Sequence, residues 1–222
     1  MMFSIGNLVL LLAAAVAAVP VNTVPSLPQG KNNCAIPSLP VNGGASELPA
    51  PTGTLAYVAL GRGIQNYTCS AVGATPAAIG AVASLYDATE LAKCDGTAFT
   101  QLPGIAVYTQ LPSSSSASFL GLKTLGKHFF DASGTPTFDL SSVSKILYAA
   151  KTGDVAAPIN ANPGPADTGA VDWLSLAAKV TYTSVGLTQV YRVETAGGNP
   201  IKPCTTVGVE SVPYAAQYWF YN

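Results

Sequence analysis

From Leu55 to the end of the chain, short runs rich in Val, Tyr, Thr and Phe are broken by Gly or Pro about every ten residues. Runs of this length and composition suit strands, and this texture restricts the fold more than any other feature. The candidate strands are "TLAYVAL", "QNYTCS", "AIGAVASLY", "GIAVYTQ", "GKHFFD", "PTFDL", "KILYAA", "VDWLSLAAKVTYTS", "TQVYRVET" and "AAQYWFY". They predict an all-β domain over residues 53–222, a single β-sandwich or a partly closed barrel. In "AIGAVASLY", alternation puts Ile79, Ala81, Ala83 and Leu85 on one apolar face. A helix competes there, because "AAIGAVASLYDATELAK" is rich in alanine and free of proline. The flanking glycine and the turn chemistry of "YDATE" favour the strand. "FFDASGTPTF" suits a hairpin. "LPSSSSASFLGLKT" and "KTGDVAAPINANPGPADTGA" read as surface excursions, and no internal repeat is evident.

Upstream, the chain opens with an apolar core from Leu8 to Val19 that runs into small residues before Pro20. This is the pattern of a secretory signal peptide over residues 1–18, and it is too short for a bilayer span of roughly 20 residues. Residues 19–52 carry seven prolines with scattered Asn, Gly and Ser, which predicts an extended arm, pinned partway by Cys34. The expected product is secreted, extracellular or in the cell wall, with no membrane association once the signal is removed. Only 9% of residues are charged and the net charge is -1, so a nucleic-acid partner is not expected. The four cysteines all follow the signal, and in an oxidising route an even count favours two disulfides, with three pairings open. One histidine and no close cysteine pair argue against a metal site.

Gly61-Arg62-Gly63 follows an apolar run, and Asp87 lies downstream of it, in outline a dinucleotide fingerprint. A Rossmann site needs a helix to begin at the third glycine position. Here that position is Asn66, and the strand-forming Tyr67-Thr68-Cys69 follows. A glycine turn or bulge between two strands is the preferred reading, no cofactor is expected, and Asp87 suits a turn or cap. A serine-hydrolase triad would have to use His128, the sole histidine, with Asp131 as a poorly placed orienter. Asp95, Asp139, Asp172 and Glu194 could form a carboxylate pair only if the fold brings them together. Arg192 and Glu194 are expected on one strand face, either as a surface ion pair or with Arg192 lining a pocket beside His128 that takes an anionic or hydroxylated ligand. Trp173, Trp219, Tyr218 and Tyr221 suit a core better than a sugar-stacking platform. Asn66-Tyr67-Thr68 is a candidate N-glycosylation site.

The blocks "LPAPTG", "ALGRGIQNYTCS", "GAVASLYDAT", "GKHFFD", "GTPTFDL", "AVDWLSL", "VYRVETAGGNP" and "YAAQYWFY" resemble a family of secreted fungal proteins with bacterial relatives. That family is classed as a domain of unknown function, and many members are labelled malate dehydrogenase. The resemblance covers about Leu48 to Tyr221 and implies a single secreted β-rich domain, with no catalytic residues to transfer. Cys69 and Cys204 lie in its most similar blocks, which implies that they pair and that Cys34 pairs with Cys94. The resulting expectation is an extracellular protein that binds a cell-wall polysaccharide, a surface component or a small ligand without catalysis. The alternative is an extracellular enzyme, either a hydrolase or the labelled oxidoreductase.

Overall fold

The structure, a computed structural model, describes residues 34–113 and 116–222; the signal segment and the start of the proline-rich arm lie outside them. Nine strands run β1 (Leu55–Cys69), β2 (Ala77–Asp87), β3 (Ser118–Phe119), β4 (Leu122–Phe130), β5 (Pro136–Leu140), β6 (Lys145–Val155), β7 (Trp173–Ala178), β8 (Gln189–Gly197) and β9 (Gly208–Tyr221). Two helices, α1 (Thr89–Cys94) and α2 (Gly96–Ala106), separate β2 from β3. The sheet order is β2-β1-β9-β8-β7-β6-β5-β4-β3, and β2 also pairs with β4. Eight antiparallel strands therefore close into a barrel, with β3 as a short addition to β4. The expected sandwich or partly closed barrel is thereby corrected: the β2–β4 register, Ala83 opposite His128, closes the eight strands on themselves.

Two expected strands, "TLAYVAL" and "QNYTCS", are one continuous strand, so Gly61-Arg62-Gly63 is not a turn between them. The glycines are there for close approach. A Cβ on Gly61 would lie 2.4 Å from the Tyr218 ring, and one on Gly63 would lie 2.0 Å from the Val82 carbonyl oxygen. Inward-facing Ala59, Gly61, Gly63, Ala81 and Ala83 thus make a thin wall. Beside it stand Tyr214, Tyr218 and Phe220 of the neighbouring β9, and Phe138 of β5 also fills the lumen, all of them buried. Small residues beside large ones are how an eight-stranded barrel fills its narrow interior.

"GIAVYTQ" is not a strand either; its first half closes α2. Asp95 caps that helix by accepting from the Ala98 N–H at 3.0 Å. Pro103 has no N–H to offer the Phe99 carbonyl one turn back, and buried Gln217 donates its side-chain N–H to that oxygen instead, at 3.2 Å. "AIGAVASLY" is a strand as predicted, and the helix that competed for it begins only at Thr89.

The outer face of β1, β9, β8 and β7 forms a second core beneath the helices, built on Val58, Leu60, Trp173, Tyr191, Trp219 and Tyr221. Leu39 and Leu48 of the arm pack against it, and the Tyr191 hydroxyl donates to the Pro49 carbonyl at 2.9 Å. A disulfide joins Cys34 of the arm to Cys94 of α1, and a second joins Cys69 of β1 to Cys204. Among the described residues no helix is long and apolar enough to cross a membrane.

Candidate functional site at the open end of the barrel

The two halves of the lumen differ. Leu85, Leu140, Leu147, Val190 and Phe220 are buried toward one end, whereas the other end holds a cavity of about 530 Å³. This is within the usual size of a small-molecule site, roughly 300–1,000 Å³. Its apolar lining comes from Ile79, Phe130, Pro136, Phe138, Leu174 and Leu176, and its polar groups include Gln65, Tyr67, His128 and Arg192. His128 and Arg192 lie on strands far apart in the chain and come together because the barrel closes.

Arg192 sits on β8 between Leu174 of β7 and Tyr218 of β9, and is nine-tenths buried. Its Nε and Nη2 donate to the Asp172 backbone carbonyl at 3.2 and 2.9 Å. Among the described residues ion pairs form at Lys93–Glu90 and Lys151–Asp154, so no carboxylate pairs with this guanidinium. Its charge reaches several neighbours. Burial pushes the Tyr67 phenol up to about 12 against the pull of Arg192, and burial likewise raises Tyr218, which Arg192 opposes. Tyr218 shares a 2.8 Å hydroxyl contact with Tyr214, and Tyr67 donates to the Gly198 carbonyl at 2.8 Å.

His128 of β4 is buried, with its ring stacked on Phe138 at 4.2 Å between centroids. Its Nδ1 lies 3.0 Å from the Thr137 carbonyl oxygen. Burial holds its pKa down at about 4, with Arg192 adding to the depression, so the ring is neutral near pH 7.

Several sequence expectations are corrected here. Arg192 and Glu194 do not share a face. A bulge between Val193 and Ala196 shifts the register, Glu194 adopts a φ of 47°, and its side chain borders a groove beside α2 on the outside of the barrel. Asp131 does not orient His128, because its Oδ1 accepts from the Ser133 and Thr135 N–H groups of the hairpin turn. The four carboxylates considered as a pair are dispersed. Asp95 caps α2, Asp139 faces outward opposite Lys127, Glu194 is outside, and only Asp172 lines the cavity. Trp173, Trp219, Tyr218 and Tyr221 are all buried and offer no sugar platform. Asn66 faces away from the lumen in mid-strand, where its Oδ1 accepts from the Ser211 hydroxyl at 2.7 Å, and no helix begins there to hold a pyrophosphate.

Sequence reasoning did not select Gln65, Tyr67, Tyr214 or Tyr218 as site residues. Gln65 and Tyr67 follow Ala59, Gly61 and Gly63 on the inward parity of β1, and Tyr214 and Tyr218 share the inward parity of β9. Once β1 is recognised as unbroken, that alternation finds them. The "NYTC" and "TAGGNP" blocks meet at this mouth through Tyr67 on Gly198, and Cys69 is bonded to Cys204, four residues beyond the second block.

The model of a family described as "Protein of unknown function (DUF3455)" matches residues 49–222. No curated protein and no solved structure matches the chain.

Proposed function

The chain belongs to this DUF3455 family of proteins of unknown function, and from that premise we propose that the open end of the barrel binds a small organic anion without transforming it. One observation carries the reading: the guanidinium of Arg192 is nine-tenths buried at a cavity and has no carboxylate partner among the described residues. A cation held away from water costs several kcal/mol unless an anion or good acceptors face it. The Asp172 backbone carbonyl covers one side of the fork and the Tyr218 hydroxyl also meets the guanidinium, and both of these partners are neutral. A planar anion would accept from the other side, the geometry at which arginine excels.

The rest of the lining suits a flat apolar body behind the charged group, since aromatic and aliphatic side chains surround it. A long polysaccharide would need exposed rings along a surface, and the four aromatic residues considered for that role are buried. Turnover has no support of the usual kind, because His128 is held by a backbone carbonyl and Asp131 serves a turn. The disulfides and the absence of a membrane-crossing helix among the described residues support placing this binding outside the cell. A glycan on Asn66 belongs to the same reading. It would project from the outer face of β1 and leave the cavity clear, and loss of the glycan mass in Asn66→Gln protein from a eukaryotic host tests it.

Calorimetric titration with benzoate and with benzamide, its uncharged near-isostere, tests the anion site. Benzoate should bind saturably and benzamide at least about tenfold more weakly, the usual discount for losing a charge-assisted bidentate contact. Arg192→Met should abolish the difference. Equal binding of the two by the wild-type protein would overturn the proposal.

A further inference from the structure

We propose that the natural ligand is a hydroxylated aromatic carboxylate, whose hydroxyl donates to Nε2 of His128 while its carboxylate rests on Arg192. This rests on the anion site proposed above and adds a second, independent recognition element to it.

The tautomer of His128 follows from its partner. The Thr137 carbonyl oxygen can only accept, so the Nδ1 at 3.0 Å carries the proton. Nε2 is then an acceptor with a free lone pair, and among the described residues no group donates to it. Protonation would not relieve this, because burial and the nearby Arg192 charge both keep the ring neutral. The cavity therefore presents to the same space an unused acceptor and a cationic donor whose partners, the Asp172 carbonyl and the Tyr218 hydroxyl, are both neutral. Tyr218 links the two: its ring lies 5.9 Å from that of His128, and it stands directly across the strand pair from Arg192.

A ligand that satisfies both groups must offer a donor to His128 and acceptors to Arg192. An ammonium could donate to His128, but it would add a second cation near the guanidinium in a poorly solvated space. A neutral hydroxyl carries no such penalty. The body between the two groups should be flat and apolar. Phe130 and Phe138 both border the cavity, and His128 already stacks on Phe138 with an interplanar angle of 9°, so an aromatic ring can join that stack or meet it edge-on. An aliphatic hydroxy-diacid would bury a second carboxylate with no cation left for it, since Lys151 at the rim is paired with Asp154.

Benzoate and its 2-, 3- and 4-hydroxy isomers are the probes, titrated by calorimetry into the intact, oxidised protein. At least one isomer should bind about tenfold more tightly than benzoate, the upper range for one well-formed neutral hydrogen bond. In His128→Phe, which keeps an aromatic ring in the stack and removes the acceptor, benzoate should still bind and the isomer preference should vanish. Because the chain has one histidine, its imidazole nitrogens give one unambiguous pair of 15N resonances. In the wild-type protein the preferred isomer should move the Nε2 resonance upfield, and benzoate should leave it in place. This second readout stands even if the variant fails to fold. Arg192-dependent benzoate binding with no preferred isomer would sink this inference alone. A preference that persists in His128→Phe, or an Nε2 resonance unmoved by the preferred isomer, would do the same. If no member of the series binds, both proposals fall.

Discussion

Arg62, which in sequence looks like part of a nucleotide fingerprint, ties the barrel to its outer helix, and replacing it should loosen that helix first. Its side chain is buried on the outer face of β1. Nη1 donates to the carbonyls of Gly63 and Tyr214 at 2.8 and 3.2 Å, and Nη2 to those of Val107 and Thr109 at 3.1 and 2.8 Å. Val107 and Thr109 close α2, and no other described donor reaches their carbonyls, so Arg62→Met leaves two helix-end acceptors orphaned. A buried unsatisfied carbonyl costs about 1–3 kcal/mol, and because Thr109 is only partly buried the pair should cost about 3 kcal/mol by that rule. For a domain of this size the melting temperature should fall by roughly 6 to 12 °C. Arg62→Lys should recover little, since one ammonium cannot span four carbonyls that a planar fork reaches. Circular-dichroism melts give the magnitude, and hydrogen exchange should show amides near Val107 and Thr109 losing protection before those of β1 and β9. A melting point within 2 °C of wild type, or uniform loss of protection, would refute the argument.

Gly63→Ala should destabilise the barrel by about 3 kcal/mol or more, because the added methyl meets the Val82 carbonyl and Ala83 backbone, neither of which can rotate away; a urea midpoint equal to wild type would contradict this. Removing the Cys69–Cys204 bond as a double serine variant should cost about 5 kcal/mol in the chain-entropy model, against about 4 for Cys34–Cys94, given sequence separations of 135 and 60. Denaturant unfolding should rank the two variants in that order. The His128 pKa of about 4 makes the folded state refuse a proton that the unfolded chain accepts below pH 6.5. Stability is therefore full above pH 6.5 and falls as the pH drops toward 4. The loss from this group should be about 2 kcal/mol between pH 7.5 and 5, and it should be missing from the urea-unfolding profile of His128→Phe.

Period-2 alternation made β2 and the β4–β5 hairpin legible, because each buries one face and turns on Gly, Asp or Ser nearby. It misled at "GIAVYTQ", whose β-branched residues suit a strand but lie at the end of a helix secured by Asp95, Gln217 and Arg62. Two of those three anchors are distant in sequence, and a local reading has no access to them. The same holds for Gly61 and Gly63. Glycines after an apolar run ordinarily mark a turn, and only the Tyr218 ring and the β2 backbone lying against them show that they keep a strand straight and close. For the site, pairing Arg192 with His128 required knowing that β8 and β4 face one lumen. Separating Arg192 from Glu194 required the bulge that turns Glu194 outward. Residue chemistry thus suggested which side chains could matter, while closure and register decided which of them meet.

The thin wall of β1 and β2 and the two polar groups of the cavity are one arrangement. An eight-stranded barrel leaves only enough interior for side chains or one small ligand, so a site inside it exists only if some positions forgo their volume. Gly61 does so opposite Tyr218, whose Cε2 occupies the space a methyl would take. The phenol can then lie against the wall, its hydroxyl held by Tyr214 and its ring beside His128 and Phe138. Arg192 stands next to that same phenol across the β8–β9 pair. A side chain at position 61 would push Tyr218 toward the lumen, into the space where the imidazole acceptor and the guanidinium converge. On the binding function proposed above, Gly61 of the pair that resembles a phosphate cradle would serve recognition, by setting the depth of the floor on which the barrel holds its cation and its acceptor.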